Sequence, residues 1–87
     1  MHYVYVLESK STGKWYIGYI SNLRQRLTEH NAGKNQSTLA KRPWSLIYYE
    51  ACLEQLDALR REKYLKTTHG RRLLKRRLKD YLYKQRD

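Results

Sequence analysis

Two short apolar runs separated by a polar turn open the chain. Residues 3–7 and 15–18 are rich in aromatic and β-branched side chains, and the stretch between them contains Gly13. Runs of this composition around a glycine-containing break are typical of a β-hairpin. Because side chains alternate along a strand, Tyr5 should point to one face of the sheet and Val4 to the other.

Helical spacing replaces strand alternation after the hairpin. Apolar residues recur three and four positions apart, which predicts a helix over residues 22–31 with Ser21 as its N-cap and Gly33 as its stop. The polar stretch 32–44 predicts a long surface loop. Residues 45–51 are again rich in apolar and aromatic side chains and predict a third strand.

The last third of the chain predicts two helices. One side of the first helix, residues 54–67, carries Leu53, Leu56, Leu59 and Tyr64. Gly70 interrupts the pattern, and the second helix spans residues 71–84 with an apolar stripe that starts at Leu74. The element order β-β-α-β-α-α predicts an α+β fold. One domain, residues 1–87, would hold a three-stranded, mainly antiparallel sheet flanked by helices.

The chain is strongly basic. Nineteen Lys and Arg against eight Asp and Glu give a net charge of +11, which favours a polyanionic partner. Nucleic acid is the first candidate and an anionic membrane surface the second. The sequence has no apolar run of about 18 residues and no signal-peptide core, so we expect a soluble cytoplasmic protein. The single cysteine, Cys52, fits a reducing compartment and is interpreted as a small buried hydrophobe.

The positive charge is concentrated near the C-terminus. Twelve of the nineteen basic residues lie between Arg60 and Arg86, together with only two acidic residues. A solvated helix face usually mixes signs, so this stretch is interpreted as a phosphate-binding surface, with simple solubility as the alternative. The predicted contacts on the third helix are Arg72, Lys75, Arg76 and Lys79. The predicted contacts in the loop, unless it is only a solvated connector, are Lys34, Lys41 and Arg42.

Three polar residues lie where a helix should be partly buried. Arg26 and His30 are four apart, so they share a helix face that borders the apolar stripe. A guanidinium there suits bidentate contact with a phosphate, although a solvated arginine and a boundary histidine are the plainer interpretation. Glu62 has apolar neighbours, and an isolated carboxylate near an apolar face needs a compensating charge. A surface ion pair with Lys66 is the alternative.

These features, taken in order, resemble the GIY-YIG nuclease family, whose two tripeptides lie on neighbouring antiparallel strands ahead of a helix. The second tripeptide is intact as Tyr16-Ile17-Gly18, whereas the first is Tyr3-Val4-Tyr5, with tyrosine where the family name has glycine. Further matches are Arg26, His30-Asn31-Ala32-Gly33, Pro43-Trp44 and Arg61-Glu62-Lys63. The resemblance covers nearly the whole chain and points to small single-domain members of the UPF0213 type, or to the N-terminal domain of an excision nuclease.

The resemblance implies a metal-dependent endonuclease that hydrolyses phosphodiester bonds in nucleic acid, DNA more than RNA. Glu62 would hold one divalent ion, Mg²⁺ or Mn²⁺, and Arg26 would contact the phosphate. His30 would orient or relay a proton, while Tyr5 and Tyr16 would flank the attacking water, one of them as the general base. The resemblance leaves open which tyrosine is the base and whether the protein is a monomer or a weak dimer.

The chain departs from the family pattern downstream of the metal position. Many members carry an asparagine there, but no asparagine follows Asn35 in this chain. A second hypothesis therefore stays open, in which a weakly active or inactive module binds nucleic acid through the basic third helix. A third hypothesis, a basic scaffold for an acidic protein partner, explains the charge but not the matches at Tyr16, Arg26, His30 and Glu62.

Overall fold

Three strands and five helices make up the part of the chain that the structure describes. The computed structural model describes residues 1–85, except for the side chains of residues 36 and 37, so Arg86 of the basic stretch lies outside it. The elements are β1 (His2–Ser9), β2 (Trp15–Ile20), α1 (Leu23–Asn31), α2 (Gln36–Leu39), β3 (Trp44–Cys52), α3 (Gln55–Leu65), α4 (Thr68–Arg77) and α5 (Lys79–Lys84). Within the described residues, no helix has both the length and the apolar composition needed to cross a bilayer.

β1 is the central strand of an antiparallel sheet in the order β2-β1-β3. Its residues from Val4 to Leu7 are at most 1% exposed, because both faces of the sheet are covered. On one face, Val4 and Val6 pack with side chains of α3 and α4. On the other face, Tyr5 and Leu7 pack with Trp44 and side chains of α1. The predicted antiparallel sheet and the alternation along β1 are therefore confirmed.

The helices differ from the predicted ones in number. The stretch predicted as a loop contains the short helix α2, and the predicted third helix is divided at Leu78 into α4 and α5. Leu78 has φ −99° and ψ 22°, which lies outside the α-helical region, so the helix is interrupted there. The N-cap of α1 is Asn22 and not Ser21, because the Asn22 side chain accepts a hydrogen bond from the backbone N–H of Gln25 at 3.1 Å.

The inward side of α3 differs from the predicted one. Leu53 and Leu56 are 78% and 71% exposed, whereas Ala58 and Leu65 are fully buried against the sheet. Small Ala58 allows a close approach of helix and strands, and residues at spacings of four and seven from it share its side. Glu62 is one of these residues. The inward side of α3 therefore carries a carboxylate between two buried apolar residues.

Gly70 lies within the first turn of α4 and does not interrupt the helix, contrary to the prediction. A Cβ at this position would collide with the backbone carbonyl of Tyr64. Thr67 caps α4, because its side-chain oxygen accepts a hydrogen bond from the N–H of Gly70 at 3.1 Å. The close approach of α3 and α4 therefore explains this glycine.

α5 is joined to the hairpin by the buried carboxylate of Glu8, which is 8% exposed. Its hydrogen-bond donors are the hydroxyl of Tyr81 at 2.6 Å, the indole N–H of Trp15 at 3.0 Å and the amide of Gln85 at 3.0 Å. Burial alone would raise the pKa of Glu8, but these hydrogen bonds outweigh it and hold the pKa below its usual 4.5. A pKa that folding lowers stabilises the fold above the ordinary pKa, and this contribution is lost as the pH falls through the lowered value.

We expect Glu8→Gln to lower the free energy of unfolding by about 1–3 kcal/mol at neutral pH, because it removes charge-assisted hydrogen bonds from a buried site. Below pH 4.5 the difference should shrink, because the unfolded parent chain then binds a proton at Glu8, and the folded protein does so only at a still lower pH. Urea unfolding across this pH range measures both effects. Glu54→Gln, at an exposed carboxylate, is the control. Equal losses in both variants would show that Glu8 contributes only net charge.

Candidate active site

Tyr5 lies at the centre of the sheet face that α1 covers. It is opposite Gly18 on β2 and Tyr49 on β3, and it is 1% exposed. A Cβ at Gly18 would collide with the hydroxyl and the ring of Tyr5. Gly18, the glycine of the second tripeptide, therefore leaves room for the ring of Tyr5, which lies over this position of the edge strand β2.

A series of hydrogen bonds connects Tyr5 with His30 and Thr38. Its hydroxyl lies 3.2 Å from Nε2 of His30, and Nδ1 of His30 lies 2.7 Å from Oγ1 of Thr38. The Thr38 hydroxyl donates to the Asn35 carbonyl at 3.2 Å, so it must accept the proton of His30 Nδ1. We therefore assign Nε2 of neutral His30 as the acceptor for the Tyr5 hydroxyl. The Tyr5 oxygen is left able to accept a hydrogen bond from another donor.

Burial keeps both partners of the Tyr5–His30 pair neutral. It raises the pKa of Tyr5 above the ordinary 10.0, and Tyr16 adds to the effect while Arg26 opposes it. Burial also lowers the pKa of His30 below 6.5, and the Arg26 guanidinium lowers it further. His30 is fully buried, so it is not the boundary residue considered from the sequence. At neutral pH both groups are therefore uncharged: His30 has an unprotonated Nε2, and Tyr5 retains its proton.

Arg26 brings an unsatisfied donor to the same site. Its side chain is 33% exposed, and its Nη1 lies 3.6 Å from a carboxylate oxygen of Glu29. Its Nε is buried, and among the described residues this atom has no hydrogen-bond partner. A buried N–H without an acceptor is unfavourable, so this position suits an oxygen supplied by a bound ligand.

Tyr16 and Trp44 complete the aromatic surroundings of His30. The ring of Tyr16 lies 4.8 Å from that of His30 and 6.3 Å from that of Tyr5, measured between centroids. Trp44 lies 6.2 Å from Tyr16, and its indole N–H donates to the Thr38 carbonyl at 2.9 Å. Tyr16 is half-buried, whereas Tyr5 is buried. Of the two predicted tyrosines, Tyr16 is therefore the one that solvent reaches.

Asn31 joins the end of α1 to the start of β3. Its side-chain oxygen accepts a hydrogen bond from the Trp44 N–H at 2.6 Å, and its amide donates to the Trp44 carbonyl at 3.1 Å. Both ends of the segment that carries Thr38 are thereby held together, which places Thr38 beside His30. Thr38 was not predicted as a site residue. The sequence signal that pointed toward it was the match of His30-Asn31 and Pro43-Trp44 to the family pattern, because these residues stand at the two ends of the segment that carries Thr38.

Glu62 lies on α3, which packs on the face of the sheet opposite to Tyr5. Its side chain is 22% exposed, and its Oε2 lies 3.3 Å from Nζ of Lys66, so the ion pair considered from the sequence does form. Besides burial, which is the main cause, the Glu62 carboxylate contributes to the raised pKa of Tyr5. The charge of Glu62 therefore acts on the Tyr5 hydroxyl.

The donor set suits an ion that binds few protein ligands. Among the residues that the structure describes, no group of three or more His, Cys, Asp and Glu side chains is placed to hold a metal. Mg²⁺ commonly binds one or two carboxylates and keeps its other positions for water and substrate phosphates. Glu62 fits this mode because its ion-pair partner Lys66 is 54% exposed and able to move into solvent.

The predicted basic contacts form two groups. The group Arg72, Lys75, Arg76 and Lys79 is exposed, and α4 packs on the face of the sheet opposite to Tyr5. The structure therefore does not bring this group together with the tyrosines. In the loop group, Lys34 is exposed and Lys41 is half-buried. The guanidinium of Arg42 donates to the carbonyls of Leu39 at 3.1 Å and Asn31 at 3.5 Å, so it also supports the loop.

Comparisons with known proteins show the family of this chain. Residues 1–79 match the family model described as the GIY-YIG catalytic domain. A UPF0213 protein of Staphylococcus haemolyticus is 39% identical over 75 residues, which cover 85% of this chain and 90% of that protein. A UPF0213 protein of Halobacterium salinarum is 39% identical over 67 residues, which cover 76% of this chain and 86% of that protein.

A solved structure is also similar. The solution NMR structure of a UPF0213 protein from Bacillus halodurans has a TM-score of 0.52 and 33% sequence identity, and the match covers 84% of this chain and 80% of that one. The family match runs from β1 to the start of α5, so it includes every element that contributes a side chain to the candidate site. The chain belongs to the GIY-YIG family of nuclease domains.

Proposed function

We propose that this protein is a metal-dependent endonuclease that hydrolyses phosphodiester bonds in nucleic acid, DNA more than RNA. The observation that carries the proposal is the buried Nε of Arg26, an unsatisfied donor beside the hydrogen-bonded pair of Tyr5 and His30. A phosphate supplies the anionic oxygen that this donor lacks. Hydrolysis also needs a proton acceptor close to that phosphate, and His30 is available for this role.

The proton path uses Tyr5 as a relay and His30 as the acceptor. The Tyr5 oxygen accepts a proton from the attacking water, while the proton of Tyr5 passes to Nε2 of His30. The water oxygen then forms the new bond to phosphorus as the bond to the leaving oxygen breaks. The leaving oxygen takes up a proton from solvent, and His30 afterwards releases its proton to solvent. Burial, the main cause of the raised Tyr5 pKa, disfavours a stable tyrosinate, but a relay does not require one. Tyr16, which is half-buried beside His30, borders the water from the solvent side.

In this proposal, Arg26 stabilises the developing negative charge directly, and Glu62 does so through a bound ion. Arg26 donates its Nε–H to a nonbridging oxygen and stabilises the negative charge that grows there. Glu62 would hold one divalent ion, Mg²⁺ or Mn²⁺. Such an ion, when bound, acts as a Lewis acid on the phosphate and on the departing oxygen. A single site of this kind cuts one strand at a time, so we expect a nick in a single strand.

A nucleic-acid-binding module with little or no cleavage is the second candidate function. The exposed basic residues of α4 favour it, because they lie on the opposite face of the sheet from Tyr5 and bind phosphates without catalytic help. Such a module would retain affinity for nucleic acid without hydrolysing it.

Incubation of the purified protein with labelled linear, nicked, flapped and branched DNA, with and without Mn²⁺, tests the proposed function. We expect Mn²⁺-dependent cleavage of at least one substrate. Binding without cleavage under all conditions would favour the binding module. The absence of both binding and cleavage would favour the basic scaffold for an acidic protein.

The basic surface formed by α4 and the start of α5 makes a separate prediction about affinity. Lys75 and Arg76 lie in the last turn of α4, where cations also stabilise the helix end, so we choose neutral glutamine over a reversed charge. Converting Lys75, Arg76 and Lys79 to Gln should flatten the slope of log affinity against log salt by about one to two units, because each lost phosphate contact on duplex DNA removes about 0.9. Fluorescence anisotropy across a salt series measures this slope.

A control variant with the same loss of charge tests whether the position of the basic residues determines the salt dependence or only the total charge of the protein. Lys10, Arg60 and Lys63 are exposed and lie outside both predicted groups. Their conversion to Gln should change the slope much less. If the two triple variants have the same slope as the parent, α4 is only a solvated face, and the loop group at Lys34, Lys41 and Arg42 becomes the preferred contact.

A further inference from the structure

A cleft of about 500 Å³ opens beside the candidate active site, between β1, β3 and α1. Tyr49, which lines it, lies directly opposite Tyr5 in the ladder between β1 and β3. Directly opposed residues of antiparallel strands have their side chains on the same face, about 5 Å apart. The cleft and Tyr5 therefore share one surface, and the proposed hydrolysis makes no use of the cleft.

Two tyrosines form an aromatic wall in this cleft. The rings of Tyr3 and Tyr49 meet edge to face, with centroids 5.9 Å apart and an angle of 65° between their planes. Tyr49 is 54% exposed, so much of its ring is available to a planar partner. Tyr3 stands where the family name has glycine, which has no side chain. Tyr3 therefore adds an aromatic ring at a position for which the family name has a residue without a side chain.

A cation completes the cleft. Arg24 lines it and is exposed. An aromatic wall beside a guanidinium suits a nucleotide, because a base stacks on the ring while the guanidinium contacts a phosphate. The net charge of +11 adds a general attraction for nucleic acid. An acidic peptide would match the charge but would leave the flat aromatic surface unused.

We infer that this cleft binds one unpaired nucleobase close to the phosphate that is cleaved. The inference rests on the proposed function and narrows its substrate to nucleic acid with an unpaired nucleotide, as in a single strand, a flap or a bulge. A base inside an intact duplex is covered on both faces by its neighbours, so it has no free face for Tyr49. Aromatic stacking tolerates every base, so the cleft selects the unpaired state and not a sequence.

Binding of a fluorescent oligonucleotide in EDTA tests this inference without cleavage. One probe carries 2-aminopurine at a single unpaired position, and the other has an abasic site there. We expect the parent protein to bind the first probe about 5- to 100-fold more tightly, the range for one stacked base, and to quench its fluorescence. Equal affinity for both probes would overturn the inference without any variant.

Three variants test whether the ring of Tyr49 stacks on the base or whether its side chain only fills space. Tyr49→Leu keeps an apolar side chain and removes the ring, so it should lose the preference for the base and the quenching. Tyr49→Phe keeps the ring and should retain both. Tyr83→Leu changes a tyrosine on α5 that is 70% exposed and lies outside the cleft, and it should also retain both. Equal binding by Tyr49→Leu and Tyr49→Phe would overturn the assignment to the ring.

Failure of this inference is distinguishable from failure of the proposed function. Cleavage in Mn²⁺ together with equal affinity for the two probes would overturn the nucleobase cleft and support the nuclease. A preference for the base without cleavage of any substrate would support the cleft and overturn the nuclease.

Discussion

Glu62→Gln should lower single-turnover cleavage at least about 100-fold under saturating Mg²⁺, because it removes the carboxylate that is proposed to hold the ion while keeping the side-chain shape. Binding measured in EDTA should change little, since Glu62 is not proposed to contact nucleic acid. Quench-flow or gel assays at saturating protein measure the chemical step separately from binding.

Lys66→Gln is the matched control for this experiment. It breaks the same ion pair of 3.3 Å but leaves the Glu62 carboxylate in place. This pair is partly exposed and joins residues one helical turn apart, so it contributes little to stability, and we expect a folded variant with nearly the parent rate. Equal losses in Glu62→Gln and Lys66→Gln would assign the effect to the ion pair. Parent-like cleavage by Glu62→Gln would show that another group holds the metal.

Arg26→Ala should also lower single-turnover cleavage about 100-fold or more, the size expected for losing a main donor to the transition state. Arg26→Lys should recover only part of this loss, because lysine keeps the charge but has no Nε–H in a fixed planar group. The comparison of these two variants measures how much of the effect depends on the buried Nε.

Arg60→Ala is the control for the loss of a positive charge. The Arg60 side chain is 74% exposed on α3 and pairs with Asp57 at 3.0 Å. Its removal should leave the cleavage rate within a few-fold of the parent. If Arg26→Ala and Arg60→Ala reduce cleavage equally, general positive charge is responsible, and the position of Arg26 at the site is not.

The strands are predictable from the sequence because their signal is local. Alternation and β-branched composition identify β1, the hairpin turn pairs it with β2, and a run of apolar and aromatic residues identifies β3. The side that α3 buries is not predictable in this way. Leu53 and Leu56 have the spacing of a core stripe, but the sheet meets the side with Ala58 because a small residue allows close packing. Such a contact depends on the partner surface, which the helix sequence does not contain.

The residues of the candidate site also divide into those that the local sequence predicts and those that it does not. Tyr5, Arg26 and His30 are identified by pattern and resemblance, since each has a fixed place in a strand or a helix. Thr38 is not, because its contact with His30 depends on the path of the segment between α1 and β3. A polar residue in a predicted loop has no periodicity that shows its direction.

The position of Tyr5 on β1 has a consequence for motion. β1 is hydrogen-bonded along both edges and buried on both faces, so we expect its amides to exchange hydrogen only when the whole protein unfolds. Arg26 and Thr38, in contrast, belong to helices at the periphery of the sheet. Any adjustment of the site to a substrate should therefore occur by movement of the helices around a stationary tyrosine.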